Sequence, residues 1–301
     1  MEKVLITGGD GLVGKHLTKM LRANGYEVAV LSRTQKHNKD ISYFTWDVGQ
    51  QKIDSKALEN VTYIIHLAGA GVADKNWTKQ RKREIISSRV DSAKLLFDQI
   101  PSDHQIKAII SASGAGYYGA VTSDRIFTED DKSGNDFLGD VCVQWEAAID
   151  TFENKGIRTV KLRTGLVLAS SGGGLEKMAK PFKLGAGAAI GSGKQYLPWI
   201  HIDDLCEMYL FAIQNETMKG AYNAVAPNHI TNREFSLAMA KSIGKRLWMP
   251  NVPAFLLKLY LGEMAKLLLE GSRVSSQKIQ DQGFKFHYTE IEKALENSLK
   301  K

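Results

Sequence analysis

The chain has 301 residues, enough to bury a full core in one large domain or two closely joined ones, and its 43% hydrophobic and 24% charged content excludes the disordered and fibrous classes. The formal net charge of +7 raises the question of a polyanionic partner. The basic residues are dispersed, however, except for Lys79, Arg81, Lys82 and Arg83, which alternate with helix-forming residues ahead of Ile85 and Ile86, the pattern of a solvated helix face. Nucleic acid is therefore not expected as a partner, and small anionic molecules suit the charge equally well. Cys142 and Cys206 are too few for a disulfide framework or a zinc site. No apolar run approaches the roughly 20 residues that span a bilayer, and the first strand begins almost at Met1, without room for a leader. The expectation is a cytoplasmic protein with no metal and no membrane contact.

Val4-Leu5-Ile6-Thr7 predicts a buried strand, and Gly8-Gly9-Asp10-Gly11-Leu12-Val13-Gly14 leads from it into an apolar-periodic helix beginning Lys15-His16-Leu17. Strand, glycine turn and helix in that order form the dinucleotide-binding pattern. One glycine permits the tight turn, one lets backbone N–H groups approach a pyrophosphate, and Gly14 lets the helix pack closely, with the helix N-terminus favouring the anion. Gly8, Gly11, Leu12, Val13 and Gly14 are the expected cradle.

Glu27 to Leu31 predicts a second strand ending at Ser32-Arg33, where such a fold inspects the adenosine ribose. An acid there would accept from a free 2′-hydroxyl, whereas arginine suits a 2′-phosphate through charge and planar donors, so Ser32 and Arg33 point to NADP(H). Ser42 to Trp46 predicts a third strand running into Asp47, placed to accept from the adenine amino group. Tyr63-Ile64-Ile65-His66-Leu67-Ala68-Gly69 is a buried strand opening onto small residues that let a cofactor lie against the backbone. His66 inside it reads as a satisfied core histidine. Ala108-Ile109-Ile110 leads to Ser111-Ala112-Ser113-Gly114-Ala115-Gly116-Tyr117-Tyr118-Gly119, a hydroxyl- and glycine-rich end that a core strand does not need. Arg158 to Arg163 is another strand, followed by Thr164-Gly165-Leu166-Val167-Leu168. Strands alternating with helices at this spacing predict an α/β fold of Rossmann type, a doubly wound parallel sheet with ligands at the strands' carboxyl ends.

The character changes after Leu168. Ser170-Ser171-Gly172-Gly173-Gly174 predicts a link or turn, and Gly185 to Gly193 is glycine-dense again, as in plain loops and in the substrate-side loops of α/β enzymes. Trp199 to Leu205 returns to strand and helix character, with Asp203 or Asp204 expected first as a helix N-cap and second as a site residue. Between Phe255 and Leu269 the pattern predicts a packed cap helix with Lys258, Lys266 and Glu270 on one face. The expected organisation is a Rossmann core over 1–168, rejoined by 199–226, with 169–198 and 227–301 forming a smaller C-terminal α/β substrate cap.

Assembled in order, these pieces resemble the atypical, extended branch of the short-chain dehydrogenase/reductase superfamily, with which the spacing Gly8-x-x-Gly11-x-x-Gly14 agrees. Within it, the chain is similar to the NAD(P)-dependent epimerase/dehydratase-like "epimerase family" proteins that carry a C-terminal domain of unknown function. The motifs behind the resemblance include Leu67-Ala68-Gly69, Asn76-Trp77-Thr78, Ser88-Arg89-Val90, Gly116-Tyr117-Tyr118-Gly119, Trp145-Glu146, Leu162-Arg163-Thr164-Gly165, Trp199 to Asp204, Asn223-Ala224-Val225-Ala226-Pro227 and Gly283-Phe284. The resemblance implies that Ser32 and Arg33 contact the adenosine phosphate, that Leu67, Ala68 and Gly69 line the cofactor, and that the backbone near Leu166 and Val167 meets the nicotinamide. Arg89 stands where most of the superfamily carries asparagine and is implied to reach the cofactor phosphates, with Glu84 a weaker candidate.

The usual proton path of that superfamily is missing. Alignment on Trp145-Glu146 places Leu138 at the position of its tyrosine and Cys142 at that of its lysine, and neither side chain can exchange the proton. Ser113 remains as the candidate for orienting a substrate oxygen, and Tyr117 as the candidate acid, with Tyr118 structural. The expected function is an NADP(H)-dependent oxidoreductase or epimerase-like enzyme on a small, sugar-like or anionic substrate. A catalytically silent NADP(H)-binding sensor is the alternative, and the oligomeric state is left open.

Overall fold

A computed structural model describes residues 1–170 and 172–299. Ser171 of the expected link lies outside the described residues. The strands are β1 (Lys3–Thr7), β2 (Glu27–Ser32), β3 (Ser42–Asp47), β4 (Lys52–Ile53), β5 (Val61–His66), β6 (Ala108–Gly114), β7 (Ile126–Phe127), β8 (Arg158–Thr164), β9 (Leu166–Leu168), β10 (Trp199–His201), β11 (Gly220–Ala224) and β12 (Arg273–Val274). The helices are α1 (Leu12–Ala23), α2 (Lys79–Gln99), α3 (Phe137–Asp150), α4 (Gly173–Lys183), α5 (Ile202–Gln214), α6 (Asn232–Ser242), α7 (Ala254–Leu261), α8 (Lys266–Leu269), α9 (Gln277–Asp281) and α10 (Ile291–Leu299).

Among the described residues the main sheet runs β11-β8-β6-β5-β1-β2-β3-β4, parallel throughout except for the short antiparallel β4. This is the expected α/β Rossmann architecture. Its strands read as continuous apolar runs because both faces are covered. Val4 and Ile6 meet α1 and α5 through Leu17, Leu21, Leu205 and Met208, whereas Leu5 and Ile64 meet α2 and α3 through Leu96, Trp145 and Ile149. Between β1 and β5 the strand order reverses direction, so the carboxyl ends of these two strands open the crevice in which such sheets bind ligands.

A third apolar cluster, with Leu168, Phe182, Trp199, Phe235 and Leu295, joins α4, α6 and α10 around the separate two-stranded β9–β10 sheet. The C-terminal segment then returns to the main sheet. Lys278 Nζ donates to the Ala221 carbonyl at 2.9 Å beside β11, and Asp204 accepts the backbone N–H groups of His287 and Tyr288 at 2.8 and 3.0 Å.

Three sequence expectations are corrected by this packing. The helix expected between Phe255 and Leu269 is interrupted: Gly262, at φ 58°, ends α7, and a 3₁₀ turn precedes α8. Nor is α7 packed on all sides, since Phe255, Leu256, Leu259 and Tyr260 form an exposed stripe. Asp203 and Asp204 do not cap α5; His201 does, its Nδ1 accepting from the Asp203 N–H at 3.3 Å, while Asp204 is fully buried and clamps the C-terminal segment. Arg81 is buried rather than part of a solvated face, because α2 turns it inward.

Candidate functional site

The turn after β1 is shaped by what its glycines exclude. A Cβ on Gly8, at φ 71°, would lie 2.9 Å from the Leu67 carbonyl carbon, and a Cβ on Gly14 would lie 2.5 Å from both the Gly8 oxygen and the Gly9 Cα. Gly14 thus packs the helix onto the turn itself. Gly11 is the N-cap of α1 but supplies no side-chain cap, and the first turn contains no acid, so the N–H groups around Leu12 and Val13 can receive an anion. The turn is tied to the end of β5: Thr7 Oγ1 accepts from the N–H groups of Leu67 and Ala68 at 3.2 and 3.1 Å.

Side chains of α2 grip the segment that follows β5. Ser88 Oγ accepts from the Ala70 N–H at 2.9 Å, Arg89 Nη1 donates to the Ala70 carbonyl at 3.0 Å, and Arg81 Nη2 donates to the Gly71 carbonyl at 2.6 Å. Gly69 lets Arg89 lie against the backbone, since a Cβ would sit 2.9 Å from Arg89 Cζ and would push that side chain aside. Arg89 is buried, lies 4.8 Å from the Trp145 ring centroid and leaves its Nε without a hydrogen-bond partner among the described residues; burial lowers its pKa to about 10. Glu84 is engaged by Arg81 Nη1 at 2.7 Å, which assigns it a loop-holding ion pair in this structure. His66 behaves as expected of a core residue. It is fully buried between Ser92 Oγ at 2.9 Å and Trp145 Nε1 at 3.4 Å, and burial holds it neutral with a pKa lowered to about 3.

At the end of β2, Ser32 Oγ donates to Asp10 Oδ2 at 3.2 Å, and Lys36 Nζ lies 2.6 Å from Asp10 Oδ1. Arg33 is exposed and has no partner among the described residues. Asp47 is exposed at the end of β3, where its Oδ1 accepts from the Gln50 N–H at 3.0 Å and closes a turn.

The carboxyl ends of β6 and β8 carry a buried polar network that the sequence reading did not anticipate. Ser113 Oγ donates to Glu146 Oε1 at 2.7 Å, and Arg163 donates to both oxygens of Glu146 at 2.9 Å. Arg163 Nη1 also donates to the Tyr118 hydroxyl at 3.0 Å, which in turn donates to Asn223 Oδ1 at 2.7 Å. Burial pushes the Tyr118 phenol up and keeps it neutral, consistent with a structural role. Tyr117 differs: it is half-buried, its ring lies on the Arg163 guanidinium, and its hydroxyl makes no hydrogen bond to another described residue. Leu138 and Cys142 both face this segment. A Cβ on Gly116 would be 3.2 Å from Leu138 Cβ, and Cys142 Sγ donates to the Gly114 carbonyl at 3.5 Å. Burial raises the Cys142 thiol to about 11, so it is protonated.

The chain after β8 closes the crevice. Leu166 N–H donates to the Pro198 carbonyl at 2.7 Å, and Val167 pairs with Ile200. A Cβ on Gly173 would be 2.8 Å from Leu12 Cδ2, and one on Gly174 2.8 Å from Leu166 Cδ1. The start of α4 therefore rests on both the glycine turn and Leu166. At the outer rim, Asn76 donates to the Tyr260 carbonyl at 3.4 Å, and Lys82 pairs with Glu263 at 2.6 Å, placing α7 beside the loop after β5. The structure thus brings Gly8, Gly11, Leu12, Val13, Gly14, Leu67, Ala68, Gly69, Arg89, Leu166 and Val167 to one edge, with Ser32, Arg33 and Asp47 at one end and Ser113 and Tyr117 towards the other. The signal missed in the sequence was spacing: Arg81, Ser88 and Arg89 fall on one helical face, which residue counting within the basic cluster concealed.

Residues 4–224 match the NAD dependent epimerase/dehydratase family, and residues 252–298 match a domain of unknown function, DUF1731. An epimerase family protein of Staphylococcus aureus (strain MRSA252) is 34% identical over all of both chains. Human epimerase family protein SDR39U1, whose structure was determined with NADPH, superposes with a TM-score of 0.86 at 30% identity, covering 98% of each chain. A nucleoside-diphosphate sugar epimerase from Corynebacterium glutamicum superposes with a TM-score of 0.80 at 32% identity, covering 99% of this chain and 58% of the other. Matched over most of its length by sequence and by fold, the chain belongs to the NAD dependent epimerase/dehydratase family and carries that C-terminal domain.

Proposed function

We propose that this protein binds NADP(H) in preference to NAD(H) along the edge described above and acts as an oxidoreductase or epimerase-like enzyme on a small, sugar-like substrate. The observation that carries the reading is the cradle formed by Gly8, Gly11 and Gly14, where any Cβ would meet backbone, beneath an uncapped helix N-terminus. Family membership and the NADPH held by the human relative support it. Ser32 and the unpaired Arg33 suit a 2′-phosphate, Asp47 keeps one oxygen for the adenine amino group, and the Leu67 to Gly69 backbone and Arg89 border the phosphates. When bound, the dinucleotide supplies hydride exchange. Tyr117 is the proton carrier of this reading, because its hydroxyl is uncommitted; Ser113 keeps only acceptor capacity for a substrate donor, its proton being held by Glu146. Residues 169–198 and, within 227–301, the elements packed around the β9–β10 sheet serve as the substrate cap, while the segment around Ile279 and Phe284 belongs to the main core.

The second reading is a silent NADP(H)-binding sensor. It is favoured by Leu138 and the protonated Cys142 at the positions of the missing acid and its partner. NADPH consumption with a panel of carbonyl compounds, compared with NADPH binding measured on the same preparation, separates the two. Tight binding with no consumption above background across the panel would leave the sensor reading.

A further inference from the structure

Asp10 puts a carboxylate where an anion is expected to bind. It lies in the glycine turn, beside an expected pyrophosphate cradle, where an unneutralised carboxylate would oppose a bound anion. Its neutralisation comes from the end of β2: Ser32 Oγ donates to one carboxylate oxygen at 3.2 Å, and Lys36 Nζ lies 2.6 Å from the other. Ser32 Oγ also accepts from the Thr34 N–H at 3.4 Å, which leaves its proton for Asp10. Lys36 is steadied over the Tyr43 ring, 5.8 Å from its centroid. A hydroxyl and a cation from one loop therefore converge on an oxyanion, with Arg33 exposed and unpaired between them in the chain.

We propose that Asp10 is a built-in occupant of the adenosine 2′-phosphate site, and that Lys36 is a phosphate ligand which transfers from the carboxylate to the phosphate on binding. This rests on the NADP(H) preference proposed above. A phosphate monoester carries about −1.5 to −2 charge and three strong acceptor oxygens, so it recruits the same donors more strongly than a single carboxylate. Lys36 and Asp10 are each about two-fifths exposed, the setting of a weak and exchangeable ion pair. A cofactor with a free 2′-hydroxyl offers Lys36 nothing in return and leaves the pair closed. The device thus makes Asp10 a competitor against the 2′-phosphate alone, and places Lys36 beside Ser32 and Arg33 as a determinant of cofactor choice.

The test is calorimetric titration of the wild-type protein, Lys36→Gln and Asp10→Asn with 2′,5′-ADP and with 5′-AMP, which needs neither turnover nor a known substrate. Lys36→Gln is expected to weaken 2′,5′-ADP by about tenfold, and Asp10→Asn to tighten it by about threefold or more, with 5′-AMP changed by less than about twofold in either variant. Unchanged 5′-AMP affinity also reports that both variants remain folded. If the wild-type protein shows no preference for 2′,5′-ADP, the NADP(H) reading and this inference fall together. A preference that persists while Asp10→Asn leaves 2′,5′-ADP unimproved overturns the inference alone. So does an equal gain for both ligands, which would be a general charge effect at the pyrophosphate, or a loss of 5′-AMP, which would make Asp10 a ribose acceptor.

Discussion

The Arg163 guanidinium carbon lies 3.3 Å from the centroid of the Tyr117 ring, and Glu146 holds that guanidinium through two hydrogen bonds of 2.9 Å. A planar cation fixed on one face of a phenol restricts where its hydroxyl points. Tyr117 therefore rests on a rigid support and keeps its hydroxyl free of hydrogen bonds to other described residues, whereas Tyr118 beside it is consumed by Arg163 and Asn223. If Tyr117 carries the proton, Tyr117→Phe should lower turnover by about 10²-fold or more while NADPH affinity stays unchanged. Steady-state rates together with fluorescence titration of NADPH check both halves, and an unchanged rate excludes Tyr117 as the acid.

Arg33 is free to meet a ligand at the end of β2. A charge-assisted hydrogen bond contributes about 1.5–3 kcal/mol, so Arg33→Ala should weaken NADPH by roughly one to two orders of magnitude and leave NADH little changed. Equal weakening of both cofactors in parallel titrations would remove the 2′-phosphate assignment.

Gly14→Ala should be damaging for a purely steric reason. The added methyl would sit 2.5 Å from the Gly8 oxygen and the Gly9 Cα, which are backbone atoms that cannot swing aside. A loss of roughly 1–3 kcal/mol in urea unfolding is expected from overpacking, with NADPH binding weakened as the turn shifts. Wild-type stability in this variant would contradict the tight packing of α1 on the turn.

His66 predicts a pH dependence. Its pKa is lowered to about 3 in the folded chain by burial and by Arg89, against 6.5 for the ordinary group. Between these values the unfolded chain binds the extra proton, so the His66 contribution to stability is complete above about 6.5 and is lost as the pH falls towards 3. The loss approaches about 1.4 kcal/mol per pH unit within that window. His66→Gln should flatten the corresponding part of a stability-versus-pH curve measured by denaturant unfolding. An identical slope in both proteins would mean that His66 is not the titrating group.

The contrast between what was legible in the residues and what was not follows the range of the interactions involved. The strand, turn and helix at residues 4–23, the parallel sheet and the inward His66 could be read directly, because apolar periodicity and glycine spacing act over a few residues. The Leu138 and Cys142 substitutions were likewise legible, since they depend only on position relative to Trp145-Glu146. Where Asp204 and Arg81 point was settled by partners outside their own helices, the backbone of His287 and Tyr288 far along the chain for one and the carbonyl of Gly71 in the preceding loop for the other. The Ser113–Glu146–Arg163–Tyr118–Asn223 network joins three strands and a helix, so no local pattern announces it. The exposed stripe of α7 was equally hidden, because its leucines satisfy a core pattern whether or not anything covers them. Asp10 shows the division most directly: its place in the glycine turn is a property of the sequence, but its partnership with Ser32 and Lys36 exists only because parallel pairing of β1 with β2 brings the two loops to one edge of the sheet.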